Sequence, residues 1–203
     1  SERFAQMMIE LQNMGCHNIN FVTPTHVVPQ ILEALLIAVR EGLKIPLVYN
    51  TGGYDLVETL QLLEGVFDIY MPDFKFSDSE VAARLCKARD YPQVAMKAIK
   101  EMHRQVGDLV VDERGIAERG LIVRHLIMPN GLAGTRKVMQ FLAQKISSNT
   151  YVNIMDQYRP CGLAHKYPEI NRRISRDEYE NALQIAREEG IHRFYSETSY
   201  RIH

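Results

Sequence analysis

The sequence has no excess of charge of either sign. Its 203 residues carry 24 Lys+Arg against 25 Asp+Glu, which gives a formal net charge of −1 at pH 7. A protein that binds a nucleic-acid backbone or an anionic membrane surface usually carries a basic surplus. Basic and aromatic residues also form no interleaved stripe of the kind that binds single-stranded nucleic acid. We therefore expect neither nucleic acid nor a membrane as a partner.

Cysteine is scarce and long apolar runs are missing. Cys16, Cys86 and Cys161 form neither a CxxC pair nor a CxxxCxxC motif, and this low, odd count argues against a secreted disulfide framework. No apolar stretch approaches the roughly 18 residues of a membrane span, and the N-terminus shows no signal-peptide pattern. The histidines include no HxH or HExxH motif, which gives a zinc hydrolase little support. We expect a globular, cytoplasmic protein.

What the sequence does contain is a regular alternation of strand and helix signals. Apolar β-rich runs predict strands at 18–23, 45–50, 67–72, 121–128 and 151–155, with a further short run at 192–195. Helical spacing predicts helices at 4–14, 29–41, 55–65, 92–106, 135–146 and 175–190, and another that begins at residue 77. Strands and helices alternating at about 20 to 30 residues predict right-handed parallel βαβ units. An α/β barrel, or part of one, fits this pattern better than a doubly wound sheet.

Three pairs of residues have the spacing of a helix capping box, and one threonine precedes a helical run. They are Asp55 with Glu58, Ser77 with Glu80, Ser175 with Glu178, and the single residue Thr135. We therefore predict that Asp55, Ser77, Ser175 and Thr135 cap the helices that follow them.

Two features depart from the alternation. Residues 112–115 have turn chemistry and predict a hairpin between 109–111 and the strand at 121–128. The chain also opens with a helix, whereas the first helix of a βα barrel follows a strand. We therefore expect residues 1–203 to form one domain, the C-terminal part of a longer protein whose first strand lies upstream.

In such folds the active site lies where the strands end and the βα loops begin. Asp73 and Lys75 stand two residues apart after the third strand, so their side chains point to the same side. The lysine is then a cationic binding group or a desolvated nucleophile, and a surface ion pair with Asp73 is the alternative.

Arg124 interrupts the apolar run of a strand that should be largely buried. A buried arginine needs an anion, which is either Asp73 or a ligand carboxylate or phosphate held by two hydrogen bonds. The neighbouring His125 should face the helices and be structural.

Two further strand ends carry small polar residues. Asn50 and Thr51 precede two glycines, and this combination suits a sugar or phosphate, although a plain strand-to-helix turn explains it too. Thr23 and Thr25 offer hydroxyl groups at the same rim, where a fixed loop with capping hydroxyls is the alternative.

Taken together, the strand ends resemble those of radical S-adenosylmethionine enzymes, in the branch similar to pyruvate formate-lyase activating enzyme. The matching segments are NINFVTPTH, PLVYNTGGYD, FDIYMPDFKF, RGLIVRHLIMPNG and YVNIMDQYRP, in the order of the family and over nearly the whole chain. The resemblance implies a partial parallel (β/α)6 barrel in which a CxxxCxxC loop holds a [4Fe-4S] cluster. S-adenosylmethionine chelates the open iron and is cleaved reductively to a 5′-deoxyadenosyl radical, which abstracts hydrogen from the substrate.

The resemblance also implies roles for individual residues. Asn50 and Thr51 match a family motif that contacts the ribose of S-adenosylmethionine. Lys75 matches a lysine near the carboxylate of the cofactor, and Arg124 matches a basic residue on a later strand. Thr23-Pro24-Thr25 stands where the family has Gly-Gly-Glu-Pro beside the amino group, and Asp156-Gln157 stands near the adenine. The cofactor-binding residues are thus expected to be Thr23, Thr25, Asn50, Thr51, Asp73, Lys75, Arg124 and Gln157.

The cluster motif itself is absent from this chain, which has no metal ligand to assign. The resemblance therefore implies a fragment that lacks the first strand and the cluster loop and cannot perform radical chemistry alone. In the intact oxidoreductase it implies a reductant such as flavodoxin or ferredoxin and, for the activase branch, a glycyl-radical enzyme as protein substrate. Two other functions stay open: a Schiff-base lyase that uses Lys75, and a non-catalytic binding module that keeps the barrel.

Overall fold

A computed structural model describes residues 1–195 of the protein. The helices are α1 (Glu2–Asn13), α2 (Val28–Arg40), α3 (Val57–Leu62), α4 (Ser79–Cys86), α5 (Tyr91–Val106), α6 (Thr135–Phe141) and α7 (Arg176–Glu188). The strands are β1 (Ile19–Val22), β2 (Leu47–Thr51), β3 (Ile69–Pro72), β4 (Val110–Val111), β5 (Ala117–Leu126), β6 (Tyr151–Met155) and β7 (Phe194–Tyr195). None of the helices in this range is long and apolar enough to cross a membrane.

Six strands form one parallel path in chain order, β1-β2-β3-β5-β6-β7, and β4 pairs antiparallel with β5 at its start. Each crossover links neighbouring strands and, with the usual right-handed sense, places its helix on the same face of the sheet. The strand order does not reverse as it does in a doubly wound sheet. This confirms the predicted α/β class, its parallel βαβ units and the hairpin.

The helix-facing side of the sheet holds the core. Tyr49, Tyr70, Leu121 and Val123 are fully buried there, and the first three lie side by side in register on β2, β3 and β5. Phe67 packs edge-on against Tyr49, with ring centroids 5.0 Å apart. Burying such large rings is a main source of stability, because each removes a large apolar area from water.

One of the predicted capping boxes is confirmed and two are wrong. At the start of α7, Ser175 accepts a hydrogen bond from the backbone of Glu178, whose carboxylate accepts one from Ser175 N–H. At α4 the capping residue is Asp78, which follows the predicted Ser77. The Ser77 hydroxyl instead donates to the carbonyl oxygen of Gly134. Asp55 caps no helix either, because its carboxylate is engaged in a buried cluster described below.

The helix predicted at 135–146 begins as expected but changes form. α6 is α-helical over Thr135–Phe141 and continues as a π-helical turn over Leu142–Ile146. Its N-cap is Gly134, in the left-handed region at φ 69°, so the prediction that Thr135 is the cap is wrong. The Thr135 hydroxyl lies 3.0 Å from Nε2 of His125 instead. Thr135 therefore satisfies a ring nitrogen of the buried His125 and does not cap the helix.

Candidate functional site

Three charged side chains meet at the carboxyl ends of β3 and β5. One carboxylate oxygen of Asp73 accepts a hydrogen bond from Nε of Arg124 at 2.7 Å, and the other pairs with the ammonium group of Lys75. Each oxygen therefore faces one cation. The three charges sum to +1, an arrangement that favours an anion.

The strand register explains why these residues meet. Asp73 extends β3 by one residue and forms a bridge with Arg124 of β5, and the N–H of Phe74 donates to the carbonyl of Arg124 at 2.8 Å. Leu121, Val123 and His125 face the helices, so Arg124 faces the opposite, open side of the sheet. This orientation agrees with the prediction that the next residue, His125, faces the helices.

A cavity of 150 Å³ opens beside the three charges. It is lined by Asp73, Lys75, Arg124, Leu126, Met155 and Gln157. The structure thus brings together four of the eight predicted cofactor-binding residues, from the ends of three neighbouring strands. Leu126 and Met155 give one side of the cavity an apolar wall.

A tyrosine from the helix layer fixes the two loops at this rim. The hydroxyl of Tyr91 accepts from the N–H of Lys75 at 2.9 Å and lies 3.0 and 2.9 Å from the carbonyl oxygens of Gly52 and Asp73. Burial raises the pKa of Tyr91, which keeps the phenol protonated. Gly53 has a φ of 78° and packs against the backbone of Asp73, where a β-carbon would overlap the Asp73 carbonyl oxygen. Sequence patterns single out the glycines after Thr51 but reveal neither Tyr91 nor the contact of Gly53 with Asp73, because these partners are distant in the chain.

The other four predicted residues are not in this cavity. Asn50 is only 6% exposed and lies on the open face, because its neighbours Tyr49 and Thr51 point to the helices. Within the described residues its amide group has no protein hydrogen-bond partner. Thr23 is exposed and takes the left-handed conformation at φ 54°, which is strained for a β-branched residue.

The hydroxyl groups of Thr25 and Thr51 belong to a different cluster, around Asp55. The buried carboxylate of Asp55 accepts hydrogen bonds from Thr25 at 2.8 Å, Tyr49 at 3.1 Å and Thr51 at 2.6 Å. Burial and the nearby Asp55 carboxylate raise the pKa of Tyr49. Asp55 therefore ties the loops after β1 and β2 together. Its spacing from Glu58 predicted a helix cap, which is wrong, and its four-residue spacing from Thr51 is the local signal that fits the observed contact.

His125 lies behind the charged cluster on the helix-facing side and is fully buried. Its Nδ1 is 2.7 Å from the carbonyl of Phe74, and Nε2 is 3.0 Å from the hydroxyl of Thr135. Burial lowers its pKa to about 4, so the ring is neutral, donating at Nδ1 and accepting at Nε2. His125 is therefore structural, as predicted, and holds the segment that follows Asp73.

The described residues contain no group of three His, Cys, Asp or Glu side chains placed to hold a metal ion. Cys16 is half-buried, Cys86 and Cys161 are exposed, and all three are free thiols. These residues do not fit an iron–sulfur cluster, which needs cysteines gathered at one place. Lys75 also does not fit a Schiff-base nucleophile, because its side chain is 42% exposed and paired with Asp73.

No family model matches the chain, and no solved structure matches it. The chain is similar to an uncharacterized protein of Methanocaldococcus jannaschii, with 38% identity over 181 residues. The match covers 88% of this chain and 48% of that protein. The chain thus spans about half the length of the curated relative that it matches.

Proposed function

We propose that this chain is the S-adenosylmethionine-binding part of a radical S-adenosylmethionine enzyme, built on a partial parallel (β/α)6 barrel. One observation carries the proposal: Lys75 and Arg124 share Asp73 at the rim of a cavity between the ends of three parallel strands. This arrangement stands at the strand ends where α/β folds bind ligands. The motif resemblance gives the anion its identity, the carboxylate of the cofactor.

The residues present suit that carboxylate. Arg124 offers a planar fork of donors and Lys75 offers a mobile ammonium group, and both now donate to Asp73. A ligand carboxylate would accept hydrogen bonds from the donors of these cations that Asp73 leaves unused. Gln157 lines the same cavity and supplies a neutral amide for a polar part of the ligand.

The residues at the neighbouring strand suit a ribose. Asn50 lies on the open face and its side chain makes no hydrogen bond to another described residue, so its amide group is available to a ligand hydroxyl or to water. Thr51 contributes through position, because its hydroxyl donates to Asp55 and fixes the turn that follows. Thr23 and Thr25 lie in the loop between β1 and α2, and we propose that this loop contacts the amino group of the cofactor.

When bound to a reduced cluster, S-adenosylmethionine supplies a 5′-deoxyadenosyl radical. The described residues hold no cluster ligands, and we derive no step through the cluster. We propose that its cysteines lie elsewhere in a longer protein, a view supported by the relative, which is about twice as long. A flavodoxin- or ferredoxin-type reductant and a glycyl-radical enzyme as substrate are parts of the same proposal.

Anaerobic reconstitution tests the proposal. The full-length protein, supplied with iron and sulfide, should assemble a [4Fe-4S] cluster and release 5′-deoxyadenosine from S-adenosylmethionine on reduction. The 203-residue chain should assemble none, because three scattered thiols cannot ligate a cluster. A stoichiometric cluster in the 203-residue chain, or a full-length protein without one, would refute the corresponding part of the proposal.

A further inference from the structure

The cavity contains two cations and one carboxylate, and the carboxylate is not needed to bind an anion. Among its six lining residues, Lys75 and Arg124 are positive, Asp73 is negative and the other three are uncharged. A site built only to attract anions would carry a charge of +2. The side chain of Asp73 is only 13% exposed, against 25% for Arg124 and 42% for Lys75. The negative charge is thus the least solvated of the three, and water screens its effect least.

We propose that Asp73 sets the charge selectivity of this cavity. By engaging both cations, it leaves a net charge of +1, which complements one monoanionic group such as a carboxylate and disfavours dianions such as sulfate or phosphate. The proposed function supplies only the identity of the monoanion. The charge selectivity itself stands on the three side chains.

The selectivity follows from charge and geometry. An Arg–Lys pair at a rim is a common recognition element for phosphate, and phosphate-bearing molecules would compete with a carboxylate ligand for it. Asp73 lies within hydrogen-bond distance of both cations, so any anion that contacts them also lies near its carboxylate. A dianion experiences that repulsion about twice as strongly as a monoanion does. Asp73 therefore penalises the dianion more, although it lowers the affinity for both.

A charge-counting set of variants tests the proposal in the full-length protein. Asp73→Asn raises the net charge of the cavity to +2, Lys75→Gln lowers it to 0, and the double variant restores +1. Glu41→Gln is the matched control, because this exposed residue follows α2 at the opposite end of the sheet. Sodium sulfate and sodium acetate are titrated at matched ionic strength. Binding is followed by the Nε–H resonance of Arg124, which is assigned by its absence in Arg124→Gln.

We expect sulfate to bind about tenfold more tightly to Asp73→Asn than to the wild type, and acetate only a few-fold more tightly. Lys75→Gln should lose affinity for both anions. The double variant should return the sulfate-to-acetate ratio to within about threefold of the wild-type value, and Glu41→Gln should leave it unchanged. The increase in sulfate affinity caused by Asp73→Asn should also become smaller as the salt concentration is raised.

An unchanged sulfate-to-acetate ratio in Asp73→Asn would overturn the proposal. If Asp73→Asn does not fold, the double variant provides the test. A sulfate-to-acetate affinity ratio in the double variant equal to that of Lys75→Gln would show that removing the negative charge has no effect, and would overturn the proposal. Binding of S-adenosylmethionine is measured separately. If the wild-type protein does not bind S-adenosylmethionine but the variants show the expected sulfate affinities, the proposed function is refuted and the charge selectivity stands.

Discussion

The two faces of β5 present the same backbone with opposite surroundings. Leu121, Val123 and His125 point to the helices and are completely buried, whereas Ile122 and Arg124 point to the open face and are only partly covered. β6 shows the same alternation of buried and half-buried positions. On β5 and β6, one face therefore contributes stability through burial, and the other keeps solvent-accessible groups available for a ligand.

The two faces also treat their polar residues differently. His125 is neutral, with both ring nitrogens satisfied by Phe74 and Thr135, and burial lowers its pKa to about 4. Its neighbour Arg124 is a cation paired with the carboxylate of Asp73. At these two positions of β5 the helix-facing side holds a neutral ring, and the open side holds a cation within a group of three charges that sum to +1. This difference separates a structural residue from a binding residue at adjacent positions.

Truncating one side chain on each face of β5 should give the largest contrast. Leu121→Ala should lower the free energy of unfolding by about 2 to 5 kcal/mol, because it leaves a cavity among fully buried neighbours. Ile122→Ala should cost about 1 kcal/mol, since its side chain is already partly solvated. Urea unfolding of both variants checks this, and equal losses would contradict the assignment of the faces.

The histidine on the helix-facing side should make stability depend on pH. Its pKa of about 4 in the folded state lies below the ordinary value of 6.5, so the unfolded chain binds the proton more readily. The neutral ring of His125 therefore adds about 3 kcal/mol to the free energy of unfolding above about pH 6.5, and this stabilisation is lost as the pH falls to about 4.

Chemical unfolding at several pH values measures this effect against His125→Gln, which cannot titrate in this range. Carboxylates titrate alike in both proteins and cancel in the comparison. Parallel pH profiles for the two proteins would show that His125 does not carry the dependence.

Tyr91 links the two faces, because it belongs to helix α5 and reaches the loops at the open rim. Tyr91→Phe should lower the free energy of unfolding by about 1 kcal/mol and weaken ligand binding a few-fold, since the loops lose a shared partner. Tyr54→Phe is the control: Tyr54 is half-exposed and its hydroxyl donates to Asp90. Equal effects of the two substitutions on ligand binding would show that Tyr91 does not position the rim.

The strands and their order were predictable because each depends on a local signal. Alternating apolar runs located the parallel strands within a few residues, and the Ser175–Glu178 spacing identified the start of α7. The positions of Asp73, Lys75 and Arg124 followed from two-residue periodicity and the rule that sites lie at strand ends. These inferences require only neighbours in the chain.

The remaining features depend on partners that are distant in sequence. Asp55 has the spacing of a cap, but Thr25, which lies 30 residues away, supplies one of its hydrogen bonds. Thr135 has the residue type of a cap, but the buried ring of His125 engages its hydroxyl. Thr51 was placed with the ligand, although strand alternation turns it to the helices. Tertiary contacts decided the cases of Asp55 and Thr135 against a local preference, whereas the orientation of Thr51 follows from strand alternation.

The binding of S-adenosylmethionine to the full-length protein tests the central claim most directly. Calorimetric titration should show that Lys75→Met and Arg124→Gln each weaken binding by about 1.5 to 3 kcal/mol, roughly one to two decades in affinity. Circular dichroism should show an unchanged fold, because both side chains lie on the open face. If both variants bind S-adenosylmethionine as tightly as the wild type does, the carboxylate site is wrong and the three charges form a structural ion pair only.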